Sequence, residues 1–108
     1  MTVEDTIRRC YQAYVNKDRS ALEVLIAEDF KFTSPWDDRI DRATYFERCW
    51  PNSERIRDFH LEKIFVQGDE AFVRYELVPK EGNRFRNVEF FRVKDGKIRE
   101  VLVYFGAK

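Results

Sequence analysis

The sequence predicts an α+β fold in which helices pack against one face of a curved antiparallel sheet. Its second half holds four runs rich in Val, Ile, Phe and Tyr, at residues 58–67, 70–79, 84–94 and 97–106. The connections between these runs are short and contain Gly, Asn and Asp, which tolerate the positive φ of tight turns. The first half instead shows apolar residues at helical spacing. Helices followed by a meander of strands indicate the α+β class.

The first two helices are predicted from their capping signals. Residues 2–5 (Thr-Val-Glu-Asp) have the form of a capping box, in which a threonine hydroxyl and a later carboxylate bond free amides at a helix start. An apolar stripe at helical spacing follows, made of Val3, Ile7, Cys10, Tyr11, Tyr14 and Val15. A second capping signal at Ser20 predicts a short helix that ends at residues 28–29.

A strand and a third helix complete the first half. Residues 30–34 are typical of a brief strand, which Pro35 stops. Asp41 is the expected cap of a third helix that stops at Pro51 and carries Tyr45, Phe46, Cys49 and Trp50. The polar segment 52–57 is expected to be a surface connection.

The third strand-like run places polar groups among apolar ones. Side chains alternate across a strand, so one face of residues 84–94 carries Phe85, Asn87, Glu89, Phe91 and Val93. Arg84, Arg86 and Arg92 fall on the opposite face, where acids of neighbouring strands are expected to pair with them. An amide and a carboxylate on the inner face indicate a polar site inside a hydrophobic cup.

Length and composition exclude several classes of protein. The chain of 108 residues is expected to form one domain spanning 1–108. Its 20 basic and 20 acidic residues give no net charge, so we expect no nucleic acid and no membrane surface among its partners. No apolar run is long enough for a membrane span and no secretion signal is evident. A cytoplasmic protein is the simplest prediction.

The few residues suited to metals and nucleotides argue against a cofactor. The two cysteines, Cys10 and Cys49, lie far apart and are expected to stay reduced. The single histidine argues against a zinc site, and none of the four glycines belongs to a phosphate-binding pattern. We therefore expect neither a metal nor an organic cofactor.

Apolar side chains also fall on the outer face of the sheet. This outer patch consists of Val88, Phe90, Leu102 and Tyr104, on the last two strands. Contiguous apolar surface of this kind usually marks an interface. We therefore predict a homodimer through the outer sheet face.

The ordered set of elements resembles a known superfamily. The features are a helix, a short helix, a strand bounded by Asp29-Phe30 and Ser34-Pro35, a third helix, and a meander containing Asp95-Gly96-Lys97-Ile98 and Tyr104-Phe105-Gly106. Over essentially the whole chain this order is similar to the nuclear transport factor 2-like superfamily, and within it to SnoaL-like proteins and ketosteroid isomerase relatives. The resemblance implies a cone-shaped barrel around a mostly apolar cavity, commonly in a dimer. Members include isomerases, cyclases, dehydratases and proteins without known activity, so fold does not settle function.

The comparison with ketosteroid isomerases is mixed. Their general-base aspartate corresponds to Ser34 here, and their oxyanion-binding tyrosine of the first helix corresponds to Cys10. Their second oxyanion donor, an aspartic acid, corresponds to Glu89. Two of the three groups are thus absent, which argues against steroid-isomerase chemistry. Tyr14 lies one helical turn beyond Cys10, so its hydroxyl could enter the same cavity.

Glu89 is the main catalytic candidate. An ionised carboxylate among apolar side chains is costly unless it is paired, so it should find a partner or keep its proton well above pH 4. A raised pKa would suit a general acid or base near neutrality. Alternatively, Glu89 pairs with an arginine or a tyrosine hydroxyl and only fixes the strand. Asn87 could orient Glu89, bind a ligand carbonyl, or satisfy loose backbone groups.

Two further residues are candidates for assisting proton transfer. His60, at the start of the first long strand, could serve as a proton shuttle or could be a half-exposed surface histidine. Asp37 follows the first strand, where related proteins place part of the cavity mouth. It could act as a base in place of the missing aspartate, or it could belong to a turn with Asp38.

Tyrosines and other aromatic residues are the candidate ligand contacts. Tyr14 could donate a hydrogen bond to a substrate oxygen, or it could be part of the core. The aromatic residues that could line an apolar ligand cavity, or simply fill the core, are Trp36, Phe46, Trp50, Tyr75 and Phe105.

Two functions remain open from the sequence. The first is a cofactor-independent isomerase, cyclase or dehydratase that moves a proton on a small apolar molecule bearing a carbonyl or hydroxyl group. The second is a non-catalytic ligand-binding or dimerisation module of the same fold, which the residues at positions 34 and 10 favour.

Overall fold

Three α-helices, one 3-10 helix and six strands form the described part of the chain. The computed structural model describes residues 1–106. The helices are α1 (Val3–Val15), α2 (Arg19–Leu25), α3 (Arg42–Arg48) and a 3-10 helix at Trp50–Arg55. The strands are β1 (Ile26–Ser34), β2 (Asp37–Asp41), β3 (Ile56–Gln67), β4 (Glu70–Pro79), β5 (Phe85–Lys94) and β6 (Lys97–Phe105). The predicted α+β class is confirmed.

The strands form one sheet in the order β2-β1-β6-β5-β4-β3. Neighbouring strands are antiparallel except β1 and β6, which run parallel, so the sheet is mixed rather than wholly antiparallel. The register shifts at several points, including two in β3 and one within β5 and β6 beside Arg92. Such bulges bend a strand and increase its twist, which curves the sheet around its inner face.

The helices cover the concave face of the sheet and enclose the core. α1 begins at the predicted capping box, because Thr2 Oγ1 accepts the amide of Asp5 at 3.0 Å and the Asp5 carboxylate accepts the amide of Thr2 at 3.1 Å. The fully buried side chains of the core include Ile7, Leu22, Phe30, Val73, Phe91 and Ile98. Within residues 1–106, no helix is long and apolar enough to cross a membrane.

The region between α2 and α3 differs from the prediction. α2 ends at Leu25, and β1 already begins at Ile26 instead of residue 30. Ile26 is buried and pairs with Ile98 of β6, a contact with a distant strand that helical spacing alone does not show. The segment expected to be a turn forms β2, which pairs with β1 from Asp37 to Asp41. Backbone pairing with β1 therefore outweighs the low strand propensity of its aspartates.

The end of α3 also differs. Asp41 caps the helix as predicted, accepting the amide of Thr44 at 2.9 Å. The helix stops at Arg48 rather than at Pro51, and the expected surface connection is a 3-10 helix with Pro51 in its first turn. Ser53 of this 3-10 helix is buried, so the segment is packed into the structure.

The cap of α2 offers a direct test. The structure places Asp18 at the cap, where its carboxylate accepts the amide of Ala21 at 3.1 Å, and not Ser20 as predicted. Asp18→Ala should therefore lower the free energy of unfolding by about 1 kcal/mol. Ser20→Ala, two residues away on the exposed side, should change it by less than about 0.5 kcal/mol. Equal losses in urea unfolding would contradict this cap assignment.

The outer face of the sheet carries an apolar stripe between two rows of ion pairs. The stripe consists of Phe65, Phe72, Val88, Phe90, Leu102 and Tyr104, of which Phe65, Phe72 and Tyr104 are exposed. Phe72 and Phe90 pack together with ring centroids 5.2 Å apart. One flanking row joins Arg92 to Glu70 and Glu100. The other row joins Arg74 and Arg86 to Glu62, and Arg84 and Arg86 to Glu76. The predicted cross-strand pairing of the β5 arginines is confirmed.

Candidate functional site

A cavity of about 220 Å³ lies between the helices and the inner face of the sheet. α1, α3, the 3-10 helix and all six strands contribute to its wall, which is mostly apolar. Its polar or titratable lining residues are Cys10, Tyr11, Tyr14, Ser34, Asp37, Tyr45, Cys49, Asn52, Tyr75 and Glu89. The remaining lining residues are Phe32, Trp36, Ile56, Phe59, Leu77, Phe91, Val101, Val103 and Phe105.

Glu89 projects from β5 into this cavity. Its Oε1 accepts a hydrogen bond from the Tyr11 hydroxyl at 2.5 Å. Burial disfavours the charged carboxylate and raises the pKa of Glu89 to about 7, while the hydrogen bond from Tyr11 and the nearby Tyr75 hydroxyl partly oppose this rise. Both sequence-based expectations hold, because the carboxyl has a tyrosine partner and also keeps its proton well above pH 4. A carboxyl of this kind can accept or release a proton near neutral pH.

Asp37 lines the same cavity at the start of β2. Its Oδ2 accepts a hydrogen bond from the Ser34 hydroxyl at 3.1 Å, and Ser34 Oγ in turn accepts the amide of Trp36 at 3.1 Å. Arg48 Nη2 of α3 lies 2.7 Å from Asp37 Oδ1, without the angle of a hydrogen bond. Asp37 is thus a carboxylate held by a cation next to the position where the isomerase comparison predicts a base.

Two tyrosine hydroxyls meet in the cavity wall. Tyr14 of α1 and Tyr45 of α3 are hydrogen-bonded to each other through their hydroxyls. Burial raises the pKa of both phenols well above the ordinary value, so both remain protonated at neutral pH. Each of the two hydroxyls carries one proton, and the hydrogen bond between them uses only one of these two protons. The second proton has no acceptor among residues 1–106 and can be donated to a ligand oxygen.

The two cysteines lie in the cavity wall as free thiols. Burial raises the pKa of Cys10 strongly and raises the pKa of Cys49 to about 11. Neither is a thiolate at neutral pH, so neither has the charge that a cysteine nucleophile or metal ligand needs. In the described part of the chain, no group of three or more His, Cys, Asp or Glu side chains could hold a metal ion.

The mouth of the cavity is formed by two exposed aromatic residues. Trp36 follows β1 and is 76% exposed, and Phe105 ends β6 and is 51% exposed. Their ring centroids are 6.2 Å apart. The structure thus brings these predicted ligand contacts to one edge of the cavity, where an entering molecule would meet them first.

Four predicted site residues do not line the cavity. His60 lies exposed on the outer face of β3, where its ring faces Glu76 at 3.2 Å, because the bulge and alternation of β3 direct it away from the core. Phe46 is buried on the far side of α3 under Arg19 and Arg42. Trp50 packs behind Tyr14, with ring centroids 5.1 Å apart. Asn87 is buried behind Tyr75, whose hydroxyl it bonds.

The sequence-based prediction missed the partner of Glu89 and part of the aromatic wall. Tyr11 was assigned only to the apolar stripe of the first helix, and Tyr45 only to the third helix. The available signal for Tyr11 is its position three residues before Tyr14 on the same stripe, since residues so spaced share a helix face. Phe59 lies in β3, whose bulges interrupt the alternation of side chains, so the sequence does not show on which face of the sheet Phe59 lies. Its ring packs 5.0 Å from that of Tyr11.

Tyr11→Phe should raise the pKa of Glu89 above its present value of about 7. The change keeps the aromatic ring and removes only the hydroxyl that stabilises the carboxylate. The measurement is a carbon-detected NMR titration of Glu89, assigned with Glu89→Gln. Tyr104→Phe, on the outer face, is the control and should leave the titration unchanged. An unaltered titration of Glu89 in Tyr11→Phe would contradict the role of this hydrogen bond.

Comparison with solved structures shows the fold. IdmH from Streptomyces antibioticus, provisionally assigned as a polyketide cyclase, is 24% identical over 95% of this chain and 91% of its own, with a TM-score of 0.79. A protein of Kribbella flavida provisionally assigned as a ketosteroid isomerase is 20% identical over 98% of this chain and 78% of its own, with a TM-score of 0.80. An NTF2-like protein of unknown function from Cytophaga hutchinsonii is 20% identical over 98% of this chain and 91% of its own, with a TM-score of 0.81.

The family follows from the sequence itself. No curated protein matches the chain. The family described as the SnoaL-like domain matches residues 7–101, which run from within α1 to within β6. That span contains β1 to β5, the first part of β6 and the carboxyl, phenol and thiol groups of the cavity. The chain therefore belongs to the SnoaL-like domain family, and it has the nuclear transport factor 2-like fold.

Proposed function

We propose that the protein is a cofactor-independent acid–base enzyme, an isomerase, cyclase or dehydratase, acting on a small, largely apolar molecule with a carbonyl or hydroxyl group. The observation that carries this proposal is the Glu89 carboxyl, which has a pKa of about 7 and lines an apolar cavity. At neutral pH such a group is present in both protonation states in comparable amounts. It can therefore take a proton from carbon and return it in one catalytic cycle.

The size and lining of the cavity define the class of substrate. A volume of about 220 Å³ is below the range of roughly 300–1,000 Å³ that is typical of drug-sized ligands. Its wall is mainly aromatic and aliphatic, so an apolar molecule gains from burial there. We therefore infer a compact substrate, smaller than a steroid.

The tyrosine pair supplies the second element of the proposed mechanism. Removing a proton next to a carbonyl places negative charge on the carbonyl oxygen, and a donor aimed at that oxygen stabilises the charge. The unused hydroxyl proton of the Tyr14–Tyr45 pair is such a donor. Asp37, held by Arg48, is the second carboxylate of the cavity and would assist the transfer at its mouth. His60 has no part in this mechanism because it lies on the outer face.

Hydrogen–deuterium exchange at the α-carbons of cyclohexanone tests the proposal without knowledge of the natural substrate. In D2O near neutral pH, the protein should accelerate exchange above the buffer rate, as followed by proton NMR. Glu89→Gln should reduce the acceleration by about 100-fold or more. Glu47→Gln, an exposed glutamate on α3, is the matched control and should retain it. Full exchange activity in Glu89→Gln would overturn the assignment of Glu89 as proton carrier.

The alternative is a ligand-binding module without chemistry. The specific observation in its favour is that Ser34 and Cys10 line the cavity where the isomerase comparison predicts a base and an oxyanion donor. In that case cyclohexanone would quench the fluorescence of Trp36 at the cavity mouth with no exchange above buffer. Trp36→Phe would identify the source of the signal, since Trp50 is the only other tryptophan.

We also propose that two copies associate through the apolar stripe of the outer sheet face. The stripe spans β3 to β6 and is bordered by alternating arginines and glutamates, so a second copy turned by 180° presents matching groups. Sedimentation at micromolar concentration should show a dimer. Leu102→Glu, which places a charge in the stripe, should give a monomer, whereas Asp38→Lys on exposed β2 should not. A monomeric wild type would count against this interface.

A further inference from the structure

The buried amide of Asn87 connects Tyr75 with the end of β6. Asn87 lies on the inner face of β5, two residues before Glu89, and is only 4% exposed. Its Nδ2 donates a hydrogen bond to the Tyr75 hydroxyl at 3.1 Å. Its Oδ1 accepts the backbone amide of Gly106 at 3.2 Å. Both ends of the side chain are therefore engaged, and neither faces the cavity.

We propose that Asn87 is a positioning residue, which turns the Tyr75 hydroxyl so that it donates its proton to the catalytic carboxyl of Glu89. Tyr75 and Glu89 line the same cavity from neighbouring strands. The inference rests on the proposed role of Glu89 as proton carrier. It assigns to Asn87 a function that the sequence left open between orienting Glu89, binding a ligand and satisfying the backbone.

The direction of the hydrogen bonds carries the argument. A tyrosine hydroxyl has one proton, and while it accepts a bond from Asn87 that proton must be donated to another group. The acceptor within the cavity is the Glu89 carboxyl, whose pKa the Tyr75 hydroxyl lowers. An amide can be turned end for end, which would reverse the polarity of the chain of bonds. The Gly106 amide prevents this, because it is a donor and must face Oδ1.

Gly106 can reach Asn87 only because it lacks a side chain. Its amide is shared between the Arg86 carbonyl oxygen, at 2.9 Å, and Asn87 Oδ1. A Cβ atom on Gly106 would lie 2.1 Å from the Arg86 carbonyl oxygen, which no real contact allows. Any larger residue must therefore move the strand end away. Gly106, next to Phe105 at the cavity mouth, is hydrogen-bonded to Asn87, and Asn87 is hydrogen-bonded to Tyr75. This series of contacts leads from the cavity mouth to the Glu89 carboxyl in the interior.

Within residues 1–106, no charged group is a cause of the Glu89 pKa shift, and only neutral groups interact with its carboxyl. The titratable groups that interact with the Glu89 carboxyl are Cys10, Tyr11 and Tyr14 on α1, Tyr45 on α3 and Tyr75 on β4. Burial raises the pKa of each, so all are neutral when Glu89 titrates. Hydrogen bonds from neutral donors are therefore what stabilises its ionised form.

The test compares the Glu89 titration in Asn87→Leu, Tyr75→Phe and the double variant, using carbon-detected NMR. Leucine matches the shape of asparagine and removes both bonds without adding charge. Tyr75→Phe should raise the Glu89 pKa by roughly one pH unit, because it removes the donated bond. Asn87→Leu should raise it by a smaller amount, because it removes the group that orients the Tyr75 hydroxyl and leaves the hydroxyl in place. The double variant should show no further rise beyond that of Tyr75→Phe. Asn83→Leu, in the exposed turn before β5, is the control and should leave the titration unchanged.

A second variant guards against misfolding of Asn87→Leu. Gly106→Ala lies at an exposed strand end, and it should raise the Glu89 pKa in the same direction by displacing the amide from Asn87. An unchanged Glu89 titration in folded Asn87→Leu or Gly106→Ala would overturn the inference. The titration needs no turnover, so a failure of the cyclohexanone exchange test would affect the proposed function and leave this result interpretable.

Discussion

Glu89→Gln should make the protein more stable than the wild type above pH 7, by about 3 kcal/mol, and should remove the fall in stability that Glu89 causes between pH 4.5 and about 7. The Glu89 pKa is about 7 in the folded protein and 4.5 without the fold. At about 1.4 kcal/mol per pH unit, the interval from 4.5 to about 7 corresponds to about 3 kcal/mol. This amount is a large part of the total stability of a domain of this size.

The sign of the effect follows from which state holds the proton. Between pH 4.5 and 7 the unfolded chain has lost the proton that the folded chain retains, so wild-type stability falls as the pH rises through this window. Below the window both states are protonated and there is no penalty. Glutamine stays neutral throughout, and its carbonyl oxygen can still accept the Tyr11 hydroxyl proton. The gain in stability should therefore appear only as the pH rises.

Urea unfolding at pH 4.5 and pH 8 measures this difference. Wild type and Glu89→Gln should be similar at the lower pH and should separate at the higher pH. Glu47→Gln is the matched control, because Glu47 is exposed on α3 and should behave like the wild type at both values. A variant that is destabilised equally at both pH values would contradict a raised pKa of Glu89 in the folded protein.

Phe91→Ala should lower the free energy of unfolding by about 3–5 kcal/mol. Phe91 is 1% exposed on the inner face of β5, and its ring packs 5.9 Å from that of Tyr11. Removing the ring leaves a space in the core that the surrounding sheet cannot fully close. Since Phe91 also lines the cavity, the loss of stability should come with an enlarged cavity that admits larger apolar molecules.

The neighbouring phenylalanine is a control of the same chemistry on the opposite face. Phe90 is half-buried on the outer stripe, where it packs against Phe72. Phe90→Ala should cost about 1 kcal/mol or less when unfolding is measured at submicromolar concentration, where a dimer contributes little. Similar losses for Phe90→Ala and Phe91→Ala would contradict the assignment of inner and outer faces of β5.

The side chains on each face of β5 and the first and last residues of β4 could be predicted, because both depend only on residues that are close in the sequence. Alternation assigned Asn87, Glu89 and Phe91 to the inner face, and turn residues at both ends bounded β4 at Glu70–Pro79. The pairing of β1 with β6 could not be predicted, because nothing near Ile26 in the sequence indicates a partner at Ile98. Strand β2 could not be predicted either, because its residues are polar and its strand conformation depends on backbone pairing with β1.

The candidate site was predictable only in part. Glu89 was found because a carboxylate among apolar side chains on one face is unusual, and this anomaly needs no knowledge of distant residues. Its partner Tyr11 is one of several aromatic residues on an apolar stripe, and their individual directions depend on how α1 sits on the sheet. Of the two alternatives for His60, the structure favours the surface histidine, and the two bulges in β3 explain why alternation could not decide between them.

The parallel pairing of β1 with β6 affects when the sheet can form during synthesis of the chain. These strands are about 70 residues apart in the chain, so their contacts close a very long loop. During synthesis from the amino terminus, α1, α2 and β1 would leave the ribosome well before the strand that completes their sheet. Their apolar surfaces would therefore remain exposed to solvent until β6 has been synthesised. Contacts of this range also slow folding in general, so chaperone binding during synthesis should concentrate on the segment around β1.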